Sequence, residues 1–473
     1  MNRLLFLIGG LLLVLLLTAA WTGYRERLIP RQTQPPASYW LLTGDEPAYL
    51  LAAQAFAAGE GLDMGPAHRR GDHRRFYNRA ILGPAQYRWQ DYRDHHLPFL
   101  FDRHGWWGDK QIKHHMPLLP LMLSPVACTR NIRWWAGVLQ SLWLGLAALM
   151  VWRQFRGGTL RQMLLIMLAL LVGLGGLPAG YYTAVIFPEI LGGALLLIAL
   201  SLWEDQPSWQ RRLAILALLL SLWATPRVTP GVFLAVIILC VRQARKRERG
   251  DVALLLGGVL FYFAYHLFVW GWFFPPMFDA ANRPQGSLLL KGGAGIFFDS
   301  AVGLFFLNPA CWAMLCAGIL LWRGHRYETG IRLWGALFLG SIISVAALPV
   351  TRAGACPAGR YEVIPALLLA YAMARFIRTY PADRPGYRRI QTALMMLSVV
   401  SLVIAWKVAQ DPRVWFRPYH PLFAYPSLQP YYHLLPDAGS ALFGWQAAGW
   451  LLIFFCCLWV GDVARWAHAK LAR

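Results

Sequence analysis

The sequence predicts an all-α polytopic membrane protein with about twelve transmembrane helices (11–13) and a large first extracytoplasmic loop. Of its 473 residues, 57% are hydrophobic and only 14% are charged, whereas a soluble domain has about 25% charged residues. The hydrophobic residues stand in continuous runs, of which Leu4 to Leu17 is the first. A run of about 20 such residues has the length that crosses a bilayer core as a helix.

Twelve apolar runs are candidate membrane spans. They lie near residues 4–21, 134–152, 163–177, 181–203, 213–225, 230–241, 252–274, 300–322, 333–349, 361–377, 390–406 and 445–464. The first run has two interpretations. Arg3 before it and Thr18-Ala19-Ala20 after it are also typical of a cleaved signal peptide, whereas an uncleaved anchor agrees with the topology of the remaining chain.

The distribution of basic residues orients the chain, because Lys and Arg near span ends stay in the cytoplasm. With the N-terminus inside, the short inside loops and both termini hold 22 Lys and Arg, and the short outside loops hold 8. The inside loops are 153–162, 204–212, 242–250, 323–332 and 375–389, and the outside loops are 178–180, 226–229, 275–299, 350–360 and 407–444. This bias predicts a multi-pass inner-membrane protein with both termini cytoplasmic. The net charge of +22 therefore needs no nucleic-acid partner.

The first outside loop, residues 22–133, is far longer than a connection requires, and such loops are functional or disordered. Its aromatic and apolar content favours an ordered loop. Ala48 to Ala58 predicts an amphipathic helix at the outer membrane face. Met116 to Val126 is apolar but interrupted by prolines, which indicates an interfacial or re-entrant piece.

Two adjacent carboxylates, Asp45 and Glu46, open the predicted amphipathic helix in Gly44-Asp45-Glu46-Pro47. Pro47 suits the first helical position, and either carboxylate suits the cap before it. A carboxylate on a rigid helix start also suits a general base that a lipid-borne substrate reaches at the membrane surface. The residues by themselves leave both interpretations open.

Five stretches in chain order resemble the GT-C class of integral-membrane glycosyltransferases, the superfamily of the protein O-mannosyltransferases and aminoarabinose transferases, in its bacterial branch. The stretches are Gly44-Asp45-Glu46-Pro47, Lys113-His114-His115-Met116-Pro117 with Pro120, Tyr181-Tyr182 with Phe187-Pro188-Glu189, Ala224-Thr225-Pro226-Arg227, and Phe297-Phe298-Asp299 with Gly303-Leu304 and Asn308-Pro309. The resemblance covers residues 1–370 in outline. The chain departs from the pattern at Ala48, where the family often has His, and at the Pro226-Arg227 order.

The resemblance implies transfer of a hexosyl or pentosyl group from a polyprenyl phosphate to a hydroxyl acceptor on a glycolipid, cell-wall glycan or protein. By family position it implies Asp45 as the general base, with Glu46 as the substitute. Cations must stabilise the phosphate leaving group. The outside cations nearest to predicted span ends are Arg227, Lys291, Arg352 and Arg360. Contact with solvent or lipid headgroups is the alternative role for these four.

Further residues are candidates for the substrate pocket. Lys113, His114 and His115 form a group of donors for phosphate or sugar, or else an interfacial basic patch. Adjacent histidines lack the i, i+4 spacing of a zinc site, so metal ligands stay unknown, although some members of the class use a divalent cation. No other cofactor is implied. The seven cysteines have no metal-ligand spacing and indicate no disulfide framework.

Tyr49, Glu189 and Asp299 complete the predicted pocket. Tyr49 belongs to the family-like segment that Asp45 opens. Glu189 and Asp299 lie within or beside apolar spans, where an ionisable group is costly unless it has a partner. For Glu189 the alternative is a snorkelling or arginine-paired carboxylate, and for Asp299 it is a cap of the following helix.

Residues 1–406 are thus predicted to form a GT-C-like catalytic region that includes loop 22–133. Residues 407–473 add a Pro- and Tyr-rich outside segment, the last span and a cytoplasmic tail. Two other classes of function stay open. One is a lipid or glycan transporter or flippase, although we see no internal repeat of the kind that transporters have. The other is a non-catalytic assembly subunit of envelope polysaccharide synthesis.

Overall fold

The computed structural model describes residues 46–72, 116–129, 132–183, 185–203, 207–270, 286–299, 303–346, 360–410, 435–436 and 443–471. Every regular element within these ranges is helical, so the predicted all-α class is confirmed for the described part of the chain. The predicted first span, 4–21, lies outside the described residues. So do most of the first outside loop and most of the Pro- and Tyr-rich segment.

The α-helices follow one another with short connections. They are α1 Glu46–Ala57, α2 Gly65–Arg69, α3 Leu118–Leu123, α4 Ile132–Phe155, α5 Leu160–Leu170, α6 Ala179–Tyr182, α7 Pro188–Trp203, α8 Ser208–Ala224, α9 Thr229–Arg245, α10 Arg249–Trp270, α11 Leu289–Phe298, α12 Leu304–Leu307, α13 Ala310–His325, α14 Thr329–Ala346, α15 Val363–Thr379, α16 Pro385–Gln410 and α17 Phe443–Leu471. Short 3₁₀ turns cover Ser124–Val126, Pro226–Val228 and Gly286–Leu288, and a π-turn covers Leu171–Gly175.

Several helices are suited to a membrane. Five are long and apolar enough to cross one by length and composition, namely Trp134–Phe155, Pro226–Arg245, Arg249–Val269, Thr329–Ala346 and Pro385–Gln410. Large apolar side chains on these helices are exposed, as Leu260 at 68% and Val399 at 62% illustrate. Exposed apolar stripes of this size on a folded chain mark a surface that faces lipid.

Two helices form the centre of the bundle. In α7 every residue from Pro188 to Ser201 is buried, and in α15 every residue from Val363 to Ile377 is buried. A helix that is apolar and buried on all sides lies inside a bundle. α7 packs on α4, α8 and α15, and α15 also packs on α5 and α13.

Two predicted spans are interrupted, which corrects their prediction as continuous helices. Residues 181–203 contain the end of α6, a non-helical link and α7, and residues 300–322 contain α12, the Asn308-Pro309 link and α13. The break at Asn308 is tied to the π-turn and to Leu177, which follows the π-turn. The side-chain amide of Asn308 donates to the carbonyl oxygens of Val172 at 2.9 Å and Leu177 at 2.8 Å. Carbonyls left open by the π-turn thereby gain a donor inside the bundle.

The helix predicted over Ala48–Ala58 is present as α1, but it is not the surface-lying amphipathic helix that the sequence suggests. Tyr49, Leu50 and Ala53 are buried, and so is Gln54, whose amide donates to the Ala127 carbonyl at 3.0 Å. Helices α2 and α3 and the 3₁₀ turn after α3 cover α1. The predicted interfacial piece, Met116 to Val126, contains α3, which packs between α1 and α8.

One end of the bundle is tied by a buried carboxylate. Asp251, which is 1% exposed, accepts hydrogen bonds from Arg211 Nε at 2.5 Å, Gln243 Nε2 at 2.7 Å and Arg212 Nε at 3.4 Å. These donors come from α8 and α9, and Asp251 lies in the first turn of α10. A single anion thus joins three consecutive helices.

Further contacts at this end also join loops that the sequence places inside. Arg375 donates to Glu328 at 2.5 Å, and Arg161 donates to Gln391 at 3.0 Å. Burial acts to raise the pKa of Glu328, but hydrogen bonds from His325 and Arg375 outweigh it, so the pKa is lowered overall. This carboxylate is therefore charged at neutral pH and keeps its pairing with Arg375.

Helices α9 and α14 approach closely at two glycines. A Cβ atom on Gly340 would overlap the backbone of Gly231, and a Cβ atom on Gly231 would lie 2.9 Å from the Cα atom of Leu337. Close approach of helix backbones through small residues is a common packing mode in membrane bundles.

We expect Gly340→Ala to separate α9 from α14 and to destabilise the protein by about 1–3 kcal/mol, the usual cost of overpacking. Gly257→Ala is the matched control, because a Cβ atom there meets nothing within 4 Å. That variant should be neutral or stabilising by about 0.5 kcal/mol, since alanine favours a helix over glycine. The measurement is the apparent melting temperature in detergent, and equal values for both variants would contradict the packing.

Candidate functional site

A buried carboxylate joins two arginines at the opposite end of α7 from the Asp251 contacts. Glu189 is 1% exposed, and its Oε1 atom accepts a hydrogen bond from Arg360 Nε at 3.0 Å. The Nη1 atom of Arg227 forms an ion pair with the same oxygen. The predicted alternative in which Glu189 pairs with an arginine is therefore what the structure shows. It pairs with two of them.

Local sequence explains how each group reaches this point. Glu189 follows Pro188 in the first turn of α7, where a negative charge is favoured by the helix dipole. Arg227 lies in the 3₁₀ turn between α8 and α9, and its backbone N–H donates to Thr225 Oγ1 at 3.4 Å. Arg360 stands just before α15. Three chain connections thus end at one carboxylate.

Aromatic rings hold both guanidinium groups. The Cζ atom of Arg227 lies 4.2 Å from the ring centroid of Tyr361, and that of Arg360 lies 4.0 Å from the ring centroid of Phe187. Stacking on a ring restricts a guanidinium and stabilises its charge. We call Glu189, Arg227 and Arg360 with Phe187 and Tyr361 the Glu189 cluster.

Two more carboxylates adjoin the Glu189 cluster. Asp299 and Glu362 are each 1% exposed, and Glu362 lies within electrostatic range of both Asp299 and Arg227. Asp299 directly follows α11, its backbone N–H donates to the Gly295 carbonyl at 2.9 Å, and its own carbonyl accepts from Gly303 at 2.7 Å. Glu362 was not among the residues predicted from the sequence. Its position two residues after Arg360, at the start of an apolar run, was the available signal.

The arrangement is suited to binding an oxyanion. Two guanidinium groups from different chain connections converge on one oxygen atom, and the planar fork of arginine donors fits phosphate as well as it fits carboxylate. Glu189, Arg227 and Arg360 are all buried, and burial strengthens such contacts relative to those at an exposed surface.

The structure brings together Glu189, Arg227 and Arg360 directly. Asp299 is linked to them through Glu362, which lies within electrostatic range of both Asp299 and Arg227. Glu46 and Tyr49 lie on α1, both buried. Lys291 is exposed on α11. The other predicted site residues lie outside the described residues; they are Asp45, Lys113, His114, His115 and Arg352.

Within the described ranges, no group of three or more His, Cys, Asp and Glu side chains could hold a metal ion. No protein-family model matches the chain, and no curated protein matches it.

A double-mutant cycle tests the pairing of Glu189 with Arg227. Each of Glu189→Gln and Arg227→Gln leaves buried charge uncompensated, and we expect each to be destabilising by about 3 kcal/mol or more. Combining them should lower the apparent melting temperature by less than the sum of the single changes, because groups in contact couple by about 0.5–3 kcal/mol.

Glu189→Gln combined with Asp251→Asn supplies the control for this cycle. Those two carboxylates belong to separate clusters, so their effects on melting temperature should add. Additive effects for Glu189→Gln with Arg227→Gln would show that the ion pair contributes no coupling.

Proposed function

We propose that the chain is an integral-membrane glycosyltransferase of the GT-C class that moves a sugar from a polyprenyl phosphate to a hydroxyl acceptor. The observation that carries this proposal is the convergence of two buried arginines, Arg227 and Arg360, on one anion position. Both arginines were phosphate-binding candidates from their sequence positions alone. Arg227 and Arg360 are 133 residues apart in the sequence, and both contact Glu189 in the folded chain. No local sequence pattern requires this shared contact.

The partition of polar contacts supports the proposed membrane topology of twelve spans with both termini cytoplasmic. Arg227 and Arg360 belong to predicted outside loops, and Glu189 lies in the outer half of the predicted span 181–203. The contacts of Asp251, Glu328 and Arg161 join ends of the predicted inside loops. If a span had been missed or wrongly added, contacts would join predicted inside loops to predicted outside loops. In this topology the Glu189 cluster faces the outer side of a bacterial inner membrane.

The proposed reaction is a substitution at the anomeric carbon of the donor sugar. The acceptor oxygen forms a bond to that carbon while the bond from the carbon to the phosphate oxygen breaks. The acceptor proton passes to Asp45, or to Glu46 in its place, as general base. The departing phosphate keeps the bonding electrons, and Arg227 and Arg360 stabilise its charge.

The partners in this proposal are a polyprenyl-phosphate sugar, membrane lipids, and a glycan, lipid or protein that carries the acceptor hydroxyl. A divalent cation at Asp45 and Glu46 would assist by stabilising charge on the reacting oxygens, as it does in some members of the class. Two carboxylates at the start of a helix fit such a role in donor type. The proposed reaction does not require this cation.

A transporter or flippase is the second candidate, and the breaks between α6 and α7 and at Asn308 are the observation that favours it. Broken helices near the membrane midplane are typical of transporters. Here, however, the Asn308 amide bonds to the carbonyls of Val172 and Leu177 instead of leaving them for a ligand. A non-catalytic assembly subunit is the third candidate, and retention of function without Asp45 would support it.

Purified protein with native lipid extract and an acceptor should release free polyprenyl phosphate, measured by mass spectrometry. We expect Asp45→Asn to lower the release rate by about 10²–10⁴-fold, the usual contribution of a general base. Asp383→Asn, at an exposed position between α15 and α16, is the control. A larger loss in Glu46→Gln than in Asp45→Asn would assign the base to Glu46. The absence of release from every variant would contradict the enzyme proposal.

The phosphate-binding role predicts that Arg227→Gln and Arg360→Gln each lower the release rate by about 10²–10³-fold, as removal of an oxyanion donor does in other enzymes. Arg323→Gln is the matched control, because Arg323 is exposed in a predicted inside loop. Unchanged release in both cluster variants would rule out phosphate stabilisation by these arginines.

A further inference from the structure

Among the described residues, Asp251 and Glu189 are buried carboxylates that each meet two arginines, and the two are held differently. Asp251 uses both oxygens, since Oδ2 accepts from Arg211 and Gln243 and Oδ1 accepts from Arg212. Glu189 uses one oxygen for both arginines, and its Oε2 atom has no hydrogen-bond partner among the described residues. The two carboxylates are equally buried, so exposure does not account for the difference.

The cost of burial makes this difference informative. A buried carboxylate oxygen without a donor loses its hydration and gains nothing in return. A carboxylate whose only role is to tie helices together is expected to engage both oxygens, as Asp251 does. Glu189 instead places a single oxygen at the point where the two ring-stacked guanidinium groups converge. That oxygen occupies the position that suits an oxygen of a bound phosphate.

We propose that Glu189 is an exchangeable internal counter-ion, which occupies the anion site of Arg227 and Arg360 in the ligand-free chain until a prenyl phosphate takes over the shared oxygen position. The inference rests on the phosphate-binding role given to this site under the proposed function. It adds that the resting site is closed by its own carboxylate. Phosphate binding then competes with an existing ion pair.

Asp299 and Glu362 make this competition stronger. Both are buried, and Glu362 lies within electrostatic range of both Arg227 and Asp299. An entering phosphate therefore meets a site already rich in carboxylates, and displacement of one of them reduces the repulsion. Glu189 is the carboxylate in direct contact with both arginines, so it is the one whose removal changes phosphate affinity most.

Binding of farnesyl phosphate to the full-length protein in detergent tests the inference, with farnesol as the probe for the lipid tail alone. Glu189→Gln should bind farnesyl phosphate about tenfold more tightly than the wild type, because it removes a competing charge-assisted contact. Farnesol should bind all variants alike. Asp251→Asn is the matched control, since it alters an equally buried carboxylate between two arginines and should leave the affinity unchanged.

The outcomes separate the inference from the proposed function. Affinity of Glu189→Gln equal to or weaker than that of the wild type overturns the inference, and so does the absence of phosphate-dependent binding in both. If Glu189→Gln does not yield folded protein, Glu189→Asp withdraws the carboxylate by one methylene and should also bind more tightly. Tighter binding without release of polyprenyl phosphate would leave the inference intact and reject the transferase. Release of polyprenyl phosphate by the wild type, without tighter binding of farnesyl phosphate by Glu189→Gln, would support the transferase and reject the inference.

Discussion

Buried charge has to be met by opposite charge, and this constraint decides where the connections of the bundle meet. Glu189 opens α7, one of the two helices at the centre of the bundle, and two arginines from other parts of the sequence reach it. Removing the carboxylate or the arginines would leave an uncompensated ion in the buried interior. That costs far more free energy than a surface ion pair contributes. The helices α7, α9 and α15 are therefore held at this end by charge, and along their length by packing.

Much of the helical pattern was predictable from the sequence, but its interruptions were not. Long apolar runs such as 134–152 and 390–406 correspond to α4 and α16, because a membrane permits few alternatives to a helix for such runs. The break at Asn308 depends on Val172 and Leu177, more than 100 residues earlier. A pattern read along the chain has no access to such a partner. The burial of α1 likewise depends on α2 and α3.

The candidate site shows the same division. Charge placement identified Glu189, Arg227 and Arg360 as unusual residues, since ionisable groups beside apolar runs are costly. It did not pair them, because Arg360 lies 171 residues beyond Glu189 and the contact is made only when α15 packs on α7. It also missed Glu362, whose proximity to Asp299 and Arg227 is a property of the folded chain. Single residues were thus accessible from the sequence, and their geometry was not.

The proposed phosphate site, closed by its own carboxylate, would suit an enzyme whose substrate is confined to a membrane. Confinement keeps the lipid-linked donor at high local concentration, so strong ground-state binding adds little to the rate. Arginines fixed on Phe187 and Tyr361 lose little freedom when an anion arrives, which offsets part of the cost of competition. In the proposed reaction the freed phosphate would have to leave after transfer, and product release limits turnover in many enzymes. A carboxylate that returns to the arginines opposes retention of that product, so the contact that weakens binding also favours the next cycle.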